Sequence, residues 1–542
     1  MLERLLSLFG LALILFMAWA WSYHRSKVKI KTVAWGLGLQ FVFALIILRD
    51  DAWSFVGLGI LTGLLVCYVF RDQVGSWGGK AVGFAIVIGA AGLATLMGYW
   101  SSQMMAFGWV LMVLVLGAGL NAYLKNTSRQ PYLLGALFAL TVGYLMQHEL
   151  HGQVLFKAFS DKIAAFLSLS DYGAQFLFAN LADSSYYFTD QSTWPGFGFL
   201  FAFKVLPTII FFGGFMGVLY YFGVMQVIIQ AVSRFMRWTI GTSGAETLSC
   251  SANIFVGQTE APLLIRPFLA KMTNSELLTV MVGGFATIAG GVLAGYISMG
   301  VNAGHLVAAS VMSAPAALVL GKILFPETEH SVTAGDVEMP EINVGSNPLE
   351  AASNGITDGL KLAVNVGAML IGFIALIAVI DVVLNFADSI IDGQWLGGSY
   401  YTYRESGLSP AKGEFAGYFP GSLQTFFGNV LKYLAMAMGV PSADAAAVGN
   451  LLGIKLSLNE FVAFGLLGSY IQDEVISGRA QIISTYALCG FANFSSIGIQ
   501  IGGIAALAPE RRSDLAKLGL KAMFGGAFAS WTTATIAGIL VA

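Results

Sequence analysis

Residues 243–267 read SGAETLSCSANIFVGQTEAPLLIRP, and the reading of this stretch decides the fold. In a chain dominated by apolar runs it carries Glu246, Asn253, Gln258, Thr259 and Glu260, with glycines and prolines that a straight membrane-crossing helix accommodates poorly. Polar, broken backbone at membrane depth persists only where protein buries it or a wet cavity receives it. The stretch therefore reads as a re-entrant hairpin that carries a binding site.

Around it lie 542 residues, 57% hydrophobic and 11% charged, the composition of a polytopic membrane protein and not of a large soluble core. The 65 glycines suit helices that pack closely or break in lipid. A net charge of −2 gives no sign of a nucleic-acid partner. Cys67, Cys250 and Cys489 form no CxxC pair, so neither a disulfide framework nor a zinc site is expected. The first apolar run, residues 5–21, contains a weak A-x-A at Ala18 and Ala20. Its leading flank has no net positive charge and a basic cluster follows it, so it reads as a retained span.

Basic residues set the orientation. Arg25, Lys27, Lys29 and Lys31 place the first loop in the cytoplasm, and residues 32–48 return outward. Four further apolar runs, 53–70, 81–99, 105–122 and 132–146, add an even number of crossings. Residues 161–188 are amphipathic and aromatic, suited to an interfacial helix. A crossing over 198–224 follows, with Lys204 near its outer end expected to snorkel. The quoted hairpin enters from and returns to the cytoplasm. Spans over 278–299 and 305–324 lead to an acidic linker at 325–348, and a long span over 360–386 leads to a tyrosine-rich outer loop at 388–421. A surface helix over 423–438, a second interrupted region at 442–467, a span over 482–507 and a last span to the end complete the pass, with both termini outside.

The two halves of this pattern rhyme. Residues 257–260 (GQTE) and 457–460 (SLNE) each put a glutamate in an interrupted polar segment. Each is followed by a span with a matching break, GFATIAGG at 284–291 and GFANFSS at 490–496. The first hairpin enters from inside and the second from outside, so the repeats are inverted. Paired broken helices in inverted repeats are the plan of secondary transporters, whose sites form at the midplane. The expected fold is an all-α polytopic membrane protein with about 12 transmembrane helices plus two re-entrant hairpins. Its expected segments are 1–50 (first two spans), 51–150 (additional four-helix block), 151–225 (interfacial helix and span), 226–325 (first transport half), 326–441 (linker, span and outer loop) and 442–542 (second transport half).

SANIFVGQTEAPLLIRP at 251–267, GGFATIAGGVLAGYISMGV at 283–301, LSLNEFVAFGLLGSYI at 456–471, CGFANFSSIGIQIGG at 489–503 and APERRSDLA at 508–516 together resemble the concentrative nucleoside transporter family. The resemblance covers the first two spans and everything from about residue 153 onward, whereas residues 51–150 depart from the family's bacterial pattern. It implies a homotrimer in the cell inner membrane, each protomer with a static scaffold and a transport domain that moves as an elevator. It implies nucleobase contacts at Gln258, Thr259 and Glu260, flanked by Val292 and Phe491, and ribose contacts at Glu460, Asn493 and Ser496. Sodium, the coupling ion, would meet Asn253, Val256, Thr287 and Ile288 through side chains and carbonyls. The wording NIFVGQTEAP and ATIAG resembles the sodium-coupled branch.

Those residue types suit the ligand. A nucleoside offers a flat π face, a hydrogen-bonding base edge and adjacent hydroxyls, which call for an aromatic or apolar wall, an amide, and carboxylates that accept from O–H. Asn253, Thr287 and two carbonyls offer hard neutral oxygens to a hard cation. Plainer readings stand beside these: Phe491 and Val292 as packing, Gln258 and Asn493 as interhelical bonds, Glu260 and Glu460 as a structural pair with Lys455, Glu246 as a hairpin cap. His148-Glu149-Leu150-His151 is one residue short of HExxH, and Gly241-Thr242-Ser243-Gly244 lacks the G-x-S-x-G frame, so no catalytic motif stands. The functional expectation is sodium-coupled import of nucleosides such as uridine, cytidine or adenosine, with proton coupling as the alternative and a membrane enzyme using Glu260 and Glu460 as the remote one.

Overall fold

The computed structural model describes residues 2–70, 130–186, 200–335, 337, 339–340, 345–402, 410 and 412–541. They form two compact units, Gly38–Phe159 and the combination of Met1–Leu37 with Ser160–Ala542. Eight helices among the described residues are long and apolar enough to cross a membrane.

The first two spans are α1 (Leu2–Ala20) and α2 (Ile30–Leu48). In the smaller unit Asp51 caps α3 (Ala52–Val69), and α4 (Gln130–Gln147) packs on it. The Ser54 hydroxyl donates to Ile46 O and accepts from Gly152 N. The runs expected at 81–99 and 105–122 lie outside the described residues.

The amphipathic segment expected at 161–188 is two helices, α5 (Gly152–Leu167) and α6 (Ser170–Phe178), ended at Ala179 with φ +49°. They lie against the span α7 (Phe201–Tyr221), with Phe166 against Phe211 and Phe215. Lys204 has a partner that the sequence did not show: its Nζ meets Asp171 Oδ2 at 2.6 Å, because α6 brings a carboxylate within reach. A helix not read from the sequence follows, α8 (Val224–Ile240), which buries Met225, Ile229, Ser233, Met236 and Ile240 at three- and four-residue spacing.

The first hairpin begins at α9 (Gly244–Ala252), turns through residues 253–260 and returns through a 3-10 turn, Ala261–Ile265, and the single helical turn Arg266–Leu269. The span after it is broken into α10 (Asn274–Ala286) and α11 (Gly290–Ser298), and α12 (Ala303–Leu324) crosses next. The long span is longer than its apolar core: α13 (Pro348–Asp388) starts where Asn347 Oδ1 accepts from Leu349 N and Glu350 N.

The outer loop contains a β-hairpin that the sequence reading lacked, β1 (Tyr400–Thr402) antiparallel to β2 (Gly413–Phe415), with Tyr401 opposite Glu414. Then come α14 (Leu423–Ala437) and the second hairpin, α15 (Ala445–Ser457) and α16 (Glu460–Gln472). The second broken span is α17 (Gly478–Leu488) and α18 (Phe494–Leu507), and α19 (Arg512–Leu540) ends the chain. Burial is deepest in α10, α12 and α19, whose spans are about four-fifths enclosed by protein. The core of the larger unit is therefore the two broken spans and the helices that enclose them.

Candidate substrate and ion site

Both breaks arise where an α-helix gives way to extended backbone. Thr287 (φ −119°, ψ 166°) ends α10 and Cys489 (φ −64°, ψ 109°) ends α17. Each break frees carbonyls that need partners. At the second, Lys455 Nζ donates to Ala487 O at 2.8 Å and to Ser530 Oγ at 3.1 Å, so this buried ammonium caps a helix end and forms no ion pair with Glu260 or Glu460 among the described residues. The structural pairing considered from the sequence is thus absent there.

The breaks also touch one another. Gly490 has φ +133°, and a side chain on it would lie 2.6 Å from Phe285 O and 2.9 Å from Ala286 O. Only glycine lets the second break cross so close to the first.

Each hairpin is bonded to a break. Gly290 N donates to Phe255 O at 3.0 Å, tying the first hairpin to the first break. Asn493 Nδ2 donates to Glu460 Oε2 at 3.0 Å, tying the second hairpin to the second. Glu460 begins α16 behind its cap Asn459, and its other oxygen accepts from the Tyr296 hydroxyl of α11 at 3.3 Å. Asn493 in turn caps α18, its Oδ1 accepting from Ser496 N at 2.8 Å, and Ser496 is buried beside it. Glu460, Asn493 and Ser496 therefore form one group. Tyr296, which stacks on Phe464 at 4.2 Å between centroids, belongs to this group and was not read from the sequence.

On the first hairpin Gln258 is buried and its Oε1 has no partner. Thr259 is half-buried and its hydroxyl is 3.4 Å from Glu260 Oε1, while Glu260 is exposed. Val292 is buried in α11, and Phe491 is half-buried in the second break. Glu246 acts as a cap: its Oε1 accepts from Ser243 N at 2.8 Å and its Oε2 pairs with Lys322 Nζ at 2.7 Å.

The four residues expected at sodium have the right chemistry. The Asn253 amide is buried with neither Oδ1 nor Nδ2 hydrogen-bonded. It lies against Gly283, where a side chain would come within 3.2 Å of Asn253 Nδ2, and the Thr287 hydroxyl donates to Gly283 O at 2.9 Å. That bond uses the hydroxyl's proton and leaves its lone pairs to accept a cation. The carbonyls of Val256 and Ile288 accept no backbone hydrogen bond among the described residues outside helices and strands. A buried polar group left unpaired costs about 1–3 kcal/mol, and at Asn253 a bound cation would satisfy the Oδ1 end.

A family model described as Na+ dependent nucleoside transporter N-terminus matches residues 9–57, one described as nucleoside recognition matches 202–303, and one described as Na+ dependent nucleoside transporter C-terminus matches 305–538. A Haemophilus influenzae protein described as an uncharacterized transporter is 43% identical over 416 residues, covering 75% of this chain and 90% of its own. The Mus musculus protein named sodium/nucleoside cotransporter 1 is 40% identical over 474 residues, covering 83% of this chain and 67% of its own. Among solved structures, CNTnw in an inward-facing substrate-bound state is 31% identical with a TM-score of 0.71, covering 99% of this chain and 98% of that one. An outward-facing CNTnw structure gives 0.70 at 31% identity, with 99% and 97% covered. These relatives are transporters, which removes the membrane-enzyme alternative. With its two breaks crossing and a polar hairpin bonded to each, this multi-pass membrane protein belongs to the family of Na+ dependent nucleoside transporters.

Proposed function

We propose that this nucleoside transporter moves its substrate inward with sodium, by carrying one site from face to face of the membrane. The observation that carries the reading is the Asn253 amide, buried and unpaired against Gly283, whose carbonyl also accepts from Thr287 at the first break. Neutral oxygens with free lone pairs suit a hard cation better than a proton, which favours sodium over proton coupling. The nucleobase lies at Gln258, Thr259 and Glu260 between Val292 and Phe491, and the ribose lies at Glu460, Asn493 and Ser496. Sodium takes Asn253, Thr287 and the carbonyls of Val256 and Ile288. Ion and nucleoside then order the same pair of segments, so each raises the affinity for the other by the same factor.

The moving part in this reading is residues 226–325 with 442–542, and the scaffold is 1–50, 151–225 and 326–441. Its support is the contact of α7 and α13 with α11, where Gly290, Gly291 and Gly295 face Phe212, Leu362, Val205 and Ile209, an apolar seam with little to hold it in place. The existence of inward- and outward-facing CNTnw structures favours the same motion. Uridine, cytidine and adenosine are the substrates proposed, in a homotrimer in the inner membrane.

Gln258→Ala and Glu460→Ala test the site. Each variant should reach the membrane in normal amount and lose uridine uptake by about a hundredfold, since each leaves buried polar groups of the ligand unpaired. Normal uptake by both variants would refute the assignment.

A further inference from the structure

Gln500 has no role in the site so far described. It stands on α18 in the otherwise apolar run IGIQIGG and is fully buried. Its Nε2 donates to Met281 O at 3.0 Å, while its Oε1 is buried with no partner. Gln258 Oε1 is buried and unpaired as well. The two amides flank the same glycine: a side chain at Gly284 would strike Gln500 Nε2 and come within 2.9 Å of Gln258 Cβ. Three residues further along α18, a side chain at Gly503 would meet Thr259 Cγ2 at 2.8 Å. So α18 runs along the tip of the first hairpin, with Gln500 beside Gln258 and Gly503 beside Thr259.

Gln258 Oε1 and Gln500 Oε1 are each buried without a donor, which is unfavourable, and an amide has a simple remedy. Its oxygen and nitrogen are nearly isosteric, so turning the Gln258 amide over replaces its buried acceptor with a donor, which Gln500 Oε1, on the residue flanking the same Gly284, can accept. We propose that Gln500 is a positioning residue that holds the Gln258 amide with its oxygen toward the base, so that the site favours nucleosides whose base edge offers an N–H donor. This rests on the reading of Gln258 as a base contact.

Uridine, with a donor at N3, is compared with the pyrimidin-2-one ribonucleoside, whose base edge has acceptors and no donor, in sodium-driven uptake by proteoliposomes. In the unaltered protein uridine has the lower KM. Gln500→Leu frees the Gln258 amide to present either end, and the KM ratio of the two substrates should shrink by about five- to tenfold, the worth of one hydrogen bond, with the maximal rate for uridine within about twofold. Gln500→Glu, which as a neutral acid keeps one donor and one acceptor, should retain the original ratio. An unchanged ratio in Gln500→Leu, or equal loss for both substrates, overturns the proposal. Gln258→Ala run in parallel separates the two failures: if it leaves the uridine KM unchanged, the base-site reading itself is wrong, and if it raises that KM while Gln500→Leu does not alter the ratio, only the positioning role is.

Discussion

At Asn253 a neutral amide is enclosed by protein with both ends unbonded, and Thr287, which approaches the same Gly283, has already spent its proton on Gly283 O. On the sodium reading proposed above, the Asn253 oxygen and the Thr287 lone pairs would give a cation ligands that carry no proton. Asn253→Leu or Thr287→Ala should therefore raise the sodium concentration for half-maximal uptake by about tenfold, whereas Thr287→Ser, which keeps the hydroxyl, should stay within about twofold. Sodium titration of uridine uptake measures this, and an unaltered titration in both damaging variants would remove these residues from the ion site. Such residues were legible in the sequence because a polar side chain in an apolar run demands an explanation. Gln500 gave the same signal in IGIQIGG and was passed over, since no break or glutamate marked it. The partners of Lys204 and Lys455 were not legible for a different reason: Asp171 and the Ala487 carbonyl are 33 and 32 residues away in the chain, and a partner that distant leaves no local trace.

Helix pairs hold the site's surroundings by contacts that spacing alone hides. On α7 Gly213 and Gly217, and on α13 Gly355 and Gly359, stand four apart, and a side chain on Gly213 would lie 2.5 Å from Gly355 O and 3.0 Å from Gly359 Cα. Without water to drive association in lipid, this backbone approach is what binds the two spans. Gly355→Leu should lower the thermal stability of the purified protein and cost about 1–3 kcal/mol, as overpacking does, while Gly372→Leu, with open space around it, should not. Equal melting temperatures would contradict the pairing. At the outer end of α13, Asp381, Asp388 and Asp392 accept backbone N–H groups from Leu423, Phe415 and Phe419, and Glu414 accepts from Gly421 and the Tyr401 hydroxyl. A region read as a plain outer loop is thus stitched to the span by buried carboxylates. The helices themselves were legible wherever apolar residues ran long. The amphipathic α8 was not read because its apolar residues are spaced along one face and do not run on, and the three-residue strand β1 is exposed throughout, so it has no alternation to read.

Across the whole molecule the inverted repeats converge. Gly490 of the second half lies against Phe285 and Ala286 of the first, and Arg511 at the start of the last span donates to Met272 O at 2.5 Å and to Asn274 Oδ1 at 2.9 Å, joining the exit of the first hairpin to the second half. The rhyme between residues 284–291 and 490–496 foretold matching breaks; that they cross is a fact of three-dimensional packing, fixed by one glycine. If the crossing holds both an ion and a nucleoside, the downhill flow of one must lift the other. Radiolabelled uridine uptake into sealed proteoliposomes, with an inward sodium gradient set against an inward proton gradient, tests this most directly. Accumulation above the external concentration with sodium, and none with protons in sodium-free buffer, is the expected result. Accumulation driven by protons alone, or mere equilibration under both gradients, would contradict it.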